Sequence, residues 1–495
     1  MRKVIDIHTH LFNLKYLPVA GILVRYAHPY ISHRMATAIE KLLVSHTGST
    51  FENAQGPVSE FVSPQSDVLK ANTLKSSFGT EFLKMDFYQV KKDIVAIVPG
   101  TQFLDPVVLD GLMEFQEMAL AENFISEVET ADLAAGEAFG AESPDGLIGR
   151  LRNLFERLIE WICTKVKQMA NYFKWFRFMQ NSEEDILRYL MTKDGNGVTL
   201  YIHHMMDVDN YFNDPGAPRR YSSYFDHIEQ IINMASLNQK YDGSIYAFAA
   251  FDPSREDGLE IIRDAIEEKG FKGIKFYPPM GYRPFDDPDY GNRIDRLYQY
   301  CIANDVPIFA HCNKEGFEAQ PATHSGHNSN PMYWYQVLKR YPTLRLCLAH
   351  AGGGEGWFAE PSATDQVHHG EITDLPPDAD EKQEDWNSSY AKIVYKLCLS
   401  FINVYCDVAY LDELSHVSKY SNIRLRLQKL FAAEPGFSKK IIYGSDWHML
   451  FQEGINQTYM SNYMELFDEI GFTEQNREDF FWNNALDYLK LDTNL

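Results

Sequence analysis

Val4-Ile5-Asp6-Ile7-His8-Thr9-His10 is the stretch on which the reading of the whole chain turns. A strand sends alternate side chains to opposite faces, so His8 and His10 share one face while Ile5 and Ile7 take the other. Two imidazoles then converge on one point. Four later apolar runs close in the same way, on a single polar residue: Gly273-Ile274-Lys275, Val306-Pro307-Ile308-Phe309-Ala310-His311, Leu344-Arg345-Leu346-Cys347-Leu348-Ala349-His350 and Ile441-Ile442-Tyr443-Gly444-Ser445-Asp446. The polar residue always stands at the C-terminal end of its run, the end where a (β/α)8 barrel keeps its chemistry. One histidine closing an apolar strand reads first as a satisfied core residue. Five strands closing so are another matter, because such groups are costly to bury together unless a cation or a reaction uses them.

Reading apolar runs as strands and the 3.6-period stretches between them as helices gives eight strands, near 3–9, 197–206, 244–251, 271–277, 306–311, 344–350, 402–409 and 441–446. Helical spacing fills 258–269, 290–304 and 331–340. Strand alternating with helix predicts a parallel sheet, and eight strands predict closure into a (β/α)8 TIM barrel. The division expected is a first barrel strand in 1–13, a mostly helical insertion over 14–195, the rest of the barrel over 196–485 and a C-terminal tail over 486–495. The insertion far exceeds the connections common in compact domains. Helical spacing recurs in it at 36–45, 105–124 and 147–180, with 93–99 as an extra strand, and its place in the first strand-to-helix loop sets it over the barrel mouth. Its segment 150–180 mixes Arg and Lys with Trp and Phe, which suits a lid or dimer helix with a solvated basic face, or else a membrane-surface helix. A second insertion, about 360–390, is acidic and lacks the spacing of an EF-hand, so it reads as a solvated loop.

At 495 residues the chain exceeds the usual barrel of about 250. With 45% of residues hydrophobic it can bury a large core. A net charge of −23 argues against a nucleic-acid or anionic-membrane surface and favours small-molecule chemistry. Six cysteines, at 163, 301, 312, 347, 398 and 406, show no CxxC spacing and read as reduced core residues. No apolar stretch precedes the first strand, and no uncharged run approaches the roughly 20 residues of a membrane span, so a cytoplasmic protein without membrane insertion is expected. The aromatic content of the insertion leaves a homo-oligomer open.

The segments DIHTHLFN, FKGIKFYPPMGYRP, VPIFAHCN, LRLCLAHAGGG and IIYGSDWH resemble the amidohydrolase superfamily of metal-dependent barrel enzymes. The likeness is closer to its amidohydrolase-related branch, which holds hydrolases and non-oxidative decarboxylases. It covers 1–13 and roughly 197–485, in the family's order. It implies that His8, His10, His311 and Asp446 bind the metal, and that His350 is a second-metal ligand or a general acid/base. In two-metal relatives a lysine at the position of Lys275 is carboxylated and bridges the ions; in one-metal relatives that position contacts substrate.

Zinc or a similar divalent ion, one or two per chain, accepts such ligands. It would generate hydroxide and polarise a carbonyl, with Asp446 passing the proton on. Ile274 and Phe276 should face the outer helices, turning Lys275 and Tyr277 inward. The bland alternative for Lys275 is an ion pair with Asp6 or another buried acid. As an ammonium it would suit an anionic substrate, as would Arg283 on the following loop. His324 and His327, after the fifth strand, and His448, two residues beyond Asp446, would line the pocket. Of His203 and His204 only one can enter the barrel. The leading function is a metal-dependent hydrolase of a small, anionic substrate. The alternatives are a metal-dependent decarboxylase and a non-catalytic barrel that binds a ligand or partner.

Overall fold

A computed structural model describes residues 3–27, 32–45, 47–48, 172, 175–194, 197–208, 227–316, 325–365, 367–368, 372, 386–411, 414 and 417–491. The chain divides into two compact units, one of Met1–Phe12, Ile186–Arg219 and Asp226–Leu495, the other of Asn13–Asp185 and Arg220–Phe225.

The first unit is the barrel. Its strands are β1 (Ile5–Thr9), β2 (Leu200–His204), β3 (Ile245–Phe251), β4 (Gly273–Phe276), β5 (Ile308–Ala310), β6 (Leu346–Leu348), β7 (Val404–Asp407) and β8 (Ile441–Ile442). They pair in that order, each parallel to the next. Backbone bonds from Ile7 N to Tyr443 O (3.1 Å) and from Asp446 N to His8 O (2.8 Å) carry the eighth run back to the first. Each of the eight expected barrel strands is present. Both faces of a parallel barrel are covered, which is why these strands read as continuous apolar runs.

The helices between strands start and stop where local chemistry directs. Pro331–Arg340 begins on Asn330, whose side chain accepts from Met332 N at 2.9 Å, with proline in the first turn; it buries Trp334, Val337 and Leu338. Gly291–Asn304 ends on Asp305 in the left-handed region, φ 52°. The stretch expected as one helix over 258–269 is an α-helix, Gly258–Arg263, continued by a π turn, Asp264–Glu268. Phe276 packs on Trp334 and Tyr298, so the outward face of β4 is the expected one.

The last helix, Asn484–Leu489, corrects the expected tail. Leu486 and Tyr488 join Ile5, Ile7, Phe248, Phe309 and Ile442 in one buried cluster, and Tyr488 donates to Ile308 O at 2.9 Å. Arg345, at the start of β6, donates to Tyr488 O at 2.7 Å and to Asp305 O. This helix therefore closes the N-terminal end of the barrel. Its short length and single turn of apolar residues hid it from a periodicity search.

In the second unit, Leu14–Tyr16, Val19–Ala27 and His33–Ser45 are helical, and Glu40 accepts from Ala20 N at 2.8 Å to tie the last two together. Burial pushes the Glu40 carboxyl up to about 8. The helices expected at 105–124 and through most of 147–180, the strand at 93–99 and the basic aromatic segment lie outside the described residues, as does most of the acidic insertion. One acid of that insertion is described and is not solvated. Asp365 pairs with Arg426 at 2.9 Å, both side chains buried, and Arg426 also lies over the Trp386 ring.

Candidate metal centre

The end of β1 supplies two imidazoles, and their neighbours decide which nitrogen carries the proton. His8 Nδ1 is 3.1 Å from Asp407 Oδ2. Asp407 Oδ1 accepts from the amides of His350 (3.0 Å) and Ala409 (2.8 Å), so this carboxylate is an acceptor throughout and His8 is the donor. His10 Nδ1 donates to His204 O at 2.8 Å, and His350 Nδ1 donates to Ala409 O at 2.9 Å. A neutral imidazole has one N–H, so His8 and His10, each with Nδ1 donating, keep their lone pair on Nε2. Burial pushes His8 well below the ordinary histidine value, with the Lys275 ammonium adding to it, and it pushes His10 down against the pull of Asp446. Both rings are neutral at pH 7. Their Nε2 atoms stand 3.2 Å apart. Two lone pairs facing at that distance repel, and a cation between them removes the conflict.

Asp446 arrives from the end of β8. Gly444 makes the approach feasible, since a Cβ there would come within 2.8 Å of His8 Cβ. Asp446 sits at φ 51° and His350 at φ 59°, conformations costing a non-glycine residue about 1–3 kcal/mol each, and both are fixed by packing at this end of the barrel. Burial alone would raise the Asp446 carboxyl, but His448, His8 and His10 together hold it well below the usual carboxylate range. Asp446 Oδ1 is 3.8 Å from His10 Nε2 and 3.0 Å from His448 Nε2. Donor atoms of His8, His350 and Asp446 lie within 4.8 Å of one another, and so do those of His10, Asp446 and His448.

Lys275 enters the barrel, 1% exposed, with Nζ 3.4 Å from His8 Nε2 and 4.8 Å from the Phe309 ring centroid. Burial lowers it to about 8, against the pull of Asp446 and Asp407. The alternative pairing with Asp6 is not formed. Asp6 accepts instead from Ser445 N (2.9 Å) and His8 N (3.2 Å), and burial pushes it up to about 7 despite those bonds. Tyr277 lies beside the cluster, its ring 4.4 Å from that of His311.

His311 is adjacent to the cluster. Its ring centroid is 4.9 Å from His350, while its Nε2–H donates to Glu315 O at 2.6 Å. Arg283 lies over the Tyr333 ring, its backbone N bonded to Asp287, and His327 sits in the short helix Ser325–Ser329. His324 lies outside the described residues. His204 is the member of its pair that enters, stacked on Phe309 at 3.8 Å, while His203 Nδ1 accepts from Leu11 N at 2.6 Å.

Two contributors escaped the sequence reading. Asp407 fixes the tautomer of His8 and the backbone of His350 and ends β7, yet the apolar run of the sequence continues into Val408 and Ala409, so no polar ending marked it. The signal was there in the strand register, at the position facing β8. His204 holds β1 twice, through its carbonyl to His10 and through Nε2 to Ile7 O at 2.8 Å.

The donor set suits a divalent ion: imidazoles gathered in two groups that share Asp446, a carboxylate held ionised between them, and acceptors behind His8, His10 and His350. Residues 219–491 match the family model described as amidohydrolase. Among solved structures, a 5-carboxyvanillate decarboxylase from Sphingomonas paucimobilis is 10% identical over 62% of this chain and 83% of its own, TM-score 0.39. A probable 2-pyrone-4,6-dicarboxylic acid hydrolase from Acinetobacter baumannii is 13% identical over 62% and 88%, TM-score 0.38. A 2,6-dihydroxybenzoate decarboxylase from Rhizobium is 14% identical over 64% and 92%, TM-score 0.40. No curated protein matches the chain significantly.

Proposed function

This chain belongs to the amidohydrolase family, and on that premise we propose that it is a metal-dependent hydrolase of a small anionic molecule, with a divalent ion held by His8, His10 and Asp446. The observation that carries this reading is the pair of Nε2 lone pairs 3.2 Å apart, each fixed by an acceptor on its other nitrogen. Imidazole and carboxylate donors favour zinc or a close relative. His311, with Nε2–H bonded to Glu315 O, keeps its lone pair on Nδ1, the nitrogen through which it would join the same ion.

A divalent ion bound there brings the pKa of water toward neutrality and polarises a substrate carbonyl. Asp446, held ionised, takes the proton at its carboxylate and passes it to the leaving group. His350, with Nδ1–H committed to Ala409 O, presents an Nε2 lone pair beside His8, as a second proton acceptor or an added ligand. Lys275 supplies the positive charge that draws an anionic group into a buried site, and Tyr277 borders the same space. Carboxylation of Lys275 is the competing role, because an amine lowered to about 8 carries a reactive neutral fraction at pH 7. Arg283 and His327 then contribute from the loops that follow β4 and β5.

The test is a panel of lactones, amides and aromatic acids assayed with and without chelator. Metal-dependent hydrolysis of an anionic member, without gas release, is expected. Carbon dioxide as the sole product would replace this reading with decarboxylation. No turnover, with ligand binding intact in Asp446→Asn, would leave a non-catalytic barrel.

A further inference from the structure

His448 lies one helical step beyond Asp446, at the start of Trp447–Glu453, and is 4% exposed. Its ring meets His10 edge to face at 5.1 Å, and its Nε2 is 3.0 Å from Asp446 Oδ1. Donor atoms that share one tetrahedral ion, each at about 2.0–2.2 Å from it, stand roughly 3.3 Å apart. Along the cluster the separations are 3.2 Å from His8 Nε2 to His10 Nε2, 3.8 Å from His10 Nε2 to Asp446 Oδ1 and 3.0 Å from Asp446 Oδ1 to His448 Nε2. His448 continues that spacing by one more donor. His311 is a different case: its Nε2–H donates to Glu315 O, so only its Nδ1 is left to face an ion.

We infer that His448 is itself a ligand of the metal, on the face of the ion shared with His10 and Asp446. The inference rests on the metal reading above and adds a donor to it. An ion bound through His448 is held by a helix start as well as by strand ends, so the helix Trp447–Glu453 becomes part of the site and its packing through Trp447 Nε1 to His10 O (2.7 Å) acquires a role in metal retention.

The test titrates the full chain with Co2+ and follows its visible absorption bands, beside His448→Gly with and without added imidazole. The expected result is Co2+ binding by the unmodified chain, a dissociation constant raised at least about tenfold in the variant with shifted bands, and recovery of both on adding imidazole. Unchanged affinity in His448→Gly overturns the assignment. So does weaker binding with band positions unmoved, which would mean that His448 acts only by bonding Asp446. If the variant fails to fold, X-ray absorption of the Co2+ form of His448→Gln beside the unmodified protein decides: the same number of imidazole rings in both overturns the assignment, and one ring fewer in the variant upholds it. An unmodified chain that binds no Co2+ overturns the metal reading and this assignment together.

Discussion

The two ends of the barrel bury charge and polarity in opposite ways. At the N-terminal end, Arg345 is used up on the carbonyls of Tyr488 and Asp305, and Tyr488 on Ile308 O, so the polar groups fasten one helix under an apolar floor. At the C-terminal end, each histidine spends one nitrogen on a fixed acceptor and leaves the other facing a neighbour's lone pair or an ionised carboxylate. A floor built this way contributes stability. A mouth built this way sets the lone pairs of His8 and His10 against each other with the Lys275 ammonium 3.4 Å from one of them, an arrangement that costs stability and suits a bound cation.

Substitutions at the two ends should therefore separate cleanly. The largest effect is expected from Asp446→Asn, which removes the ionised ligand and proton acceptor: turnover should fall on the order of 10²–10⁴-fold, measured by steady-state kinetics on whichever panel member is hydrolysed. Its metal-free form should unfold no more easily than the parent, because a strained, buried carboxylate has gone. At the floor, Tyr488→Ala should cost about 3–5 kcal/mol in urea unfolding and leave metal affinity per folded molecule unchanged. A Tyr488→Ala protein that lost metal while folded would break the comparison.

Asp407→Asn sharpens it. The amide oxygen still accepts from His350 N and Ala409 N, but the NH2 group now faces His8 Nδ1 and drives the ring proton to Nε2. Metal affinity should drop about 10–100-fold, read by competition with a chromogenic chelator, with little change in unfolding. The smallest effect is expected from Tyr488→Phe, which deletes one hydrogen bond at about 0.5–1.5 kcal/mol by the same unfolding assay.

Much of this was legible in the sequence, and the reason is geometric. A parallel barrel buries both faces of each strand, so Ile5–Thr9 and its seven counterparts stood out as apolar runs, and a side chain closing such a run faces the mouth whatever the loops do. By that rule His8, His10, Lys275, His311, His350 and Asp446 are all expected at the mouth, and their contacts with one another lie there. Alternation also limited His203 and His204 to one inward ring. What sequence could not show depends on contacts between residues far apart in the chain. Asp407 is 399 residues from His8, and only the closed barrel brings the carboxylate to the imidazole that it orients. The direction of His311 depends on the turn to Glu315, and the closing helix Asn484–Leu489 is recognised by where it packs rather than by its period. Tautomers are the last to be read, since they follow from acceptors that the fold assembles.

The most direct test of the central claim is elemental mass spectrometry of the full chain purified without chelator, with Asp446→Asn beside it. The arrangement of His8, His10 and Asp446 predicts at least one equivalent of divalent metal in the parent and loss of most of it in the variant. A parent without stoichiometric metal, or equal metal in both proteins, would contradict it.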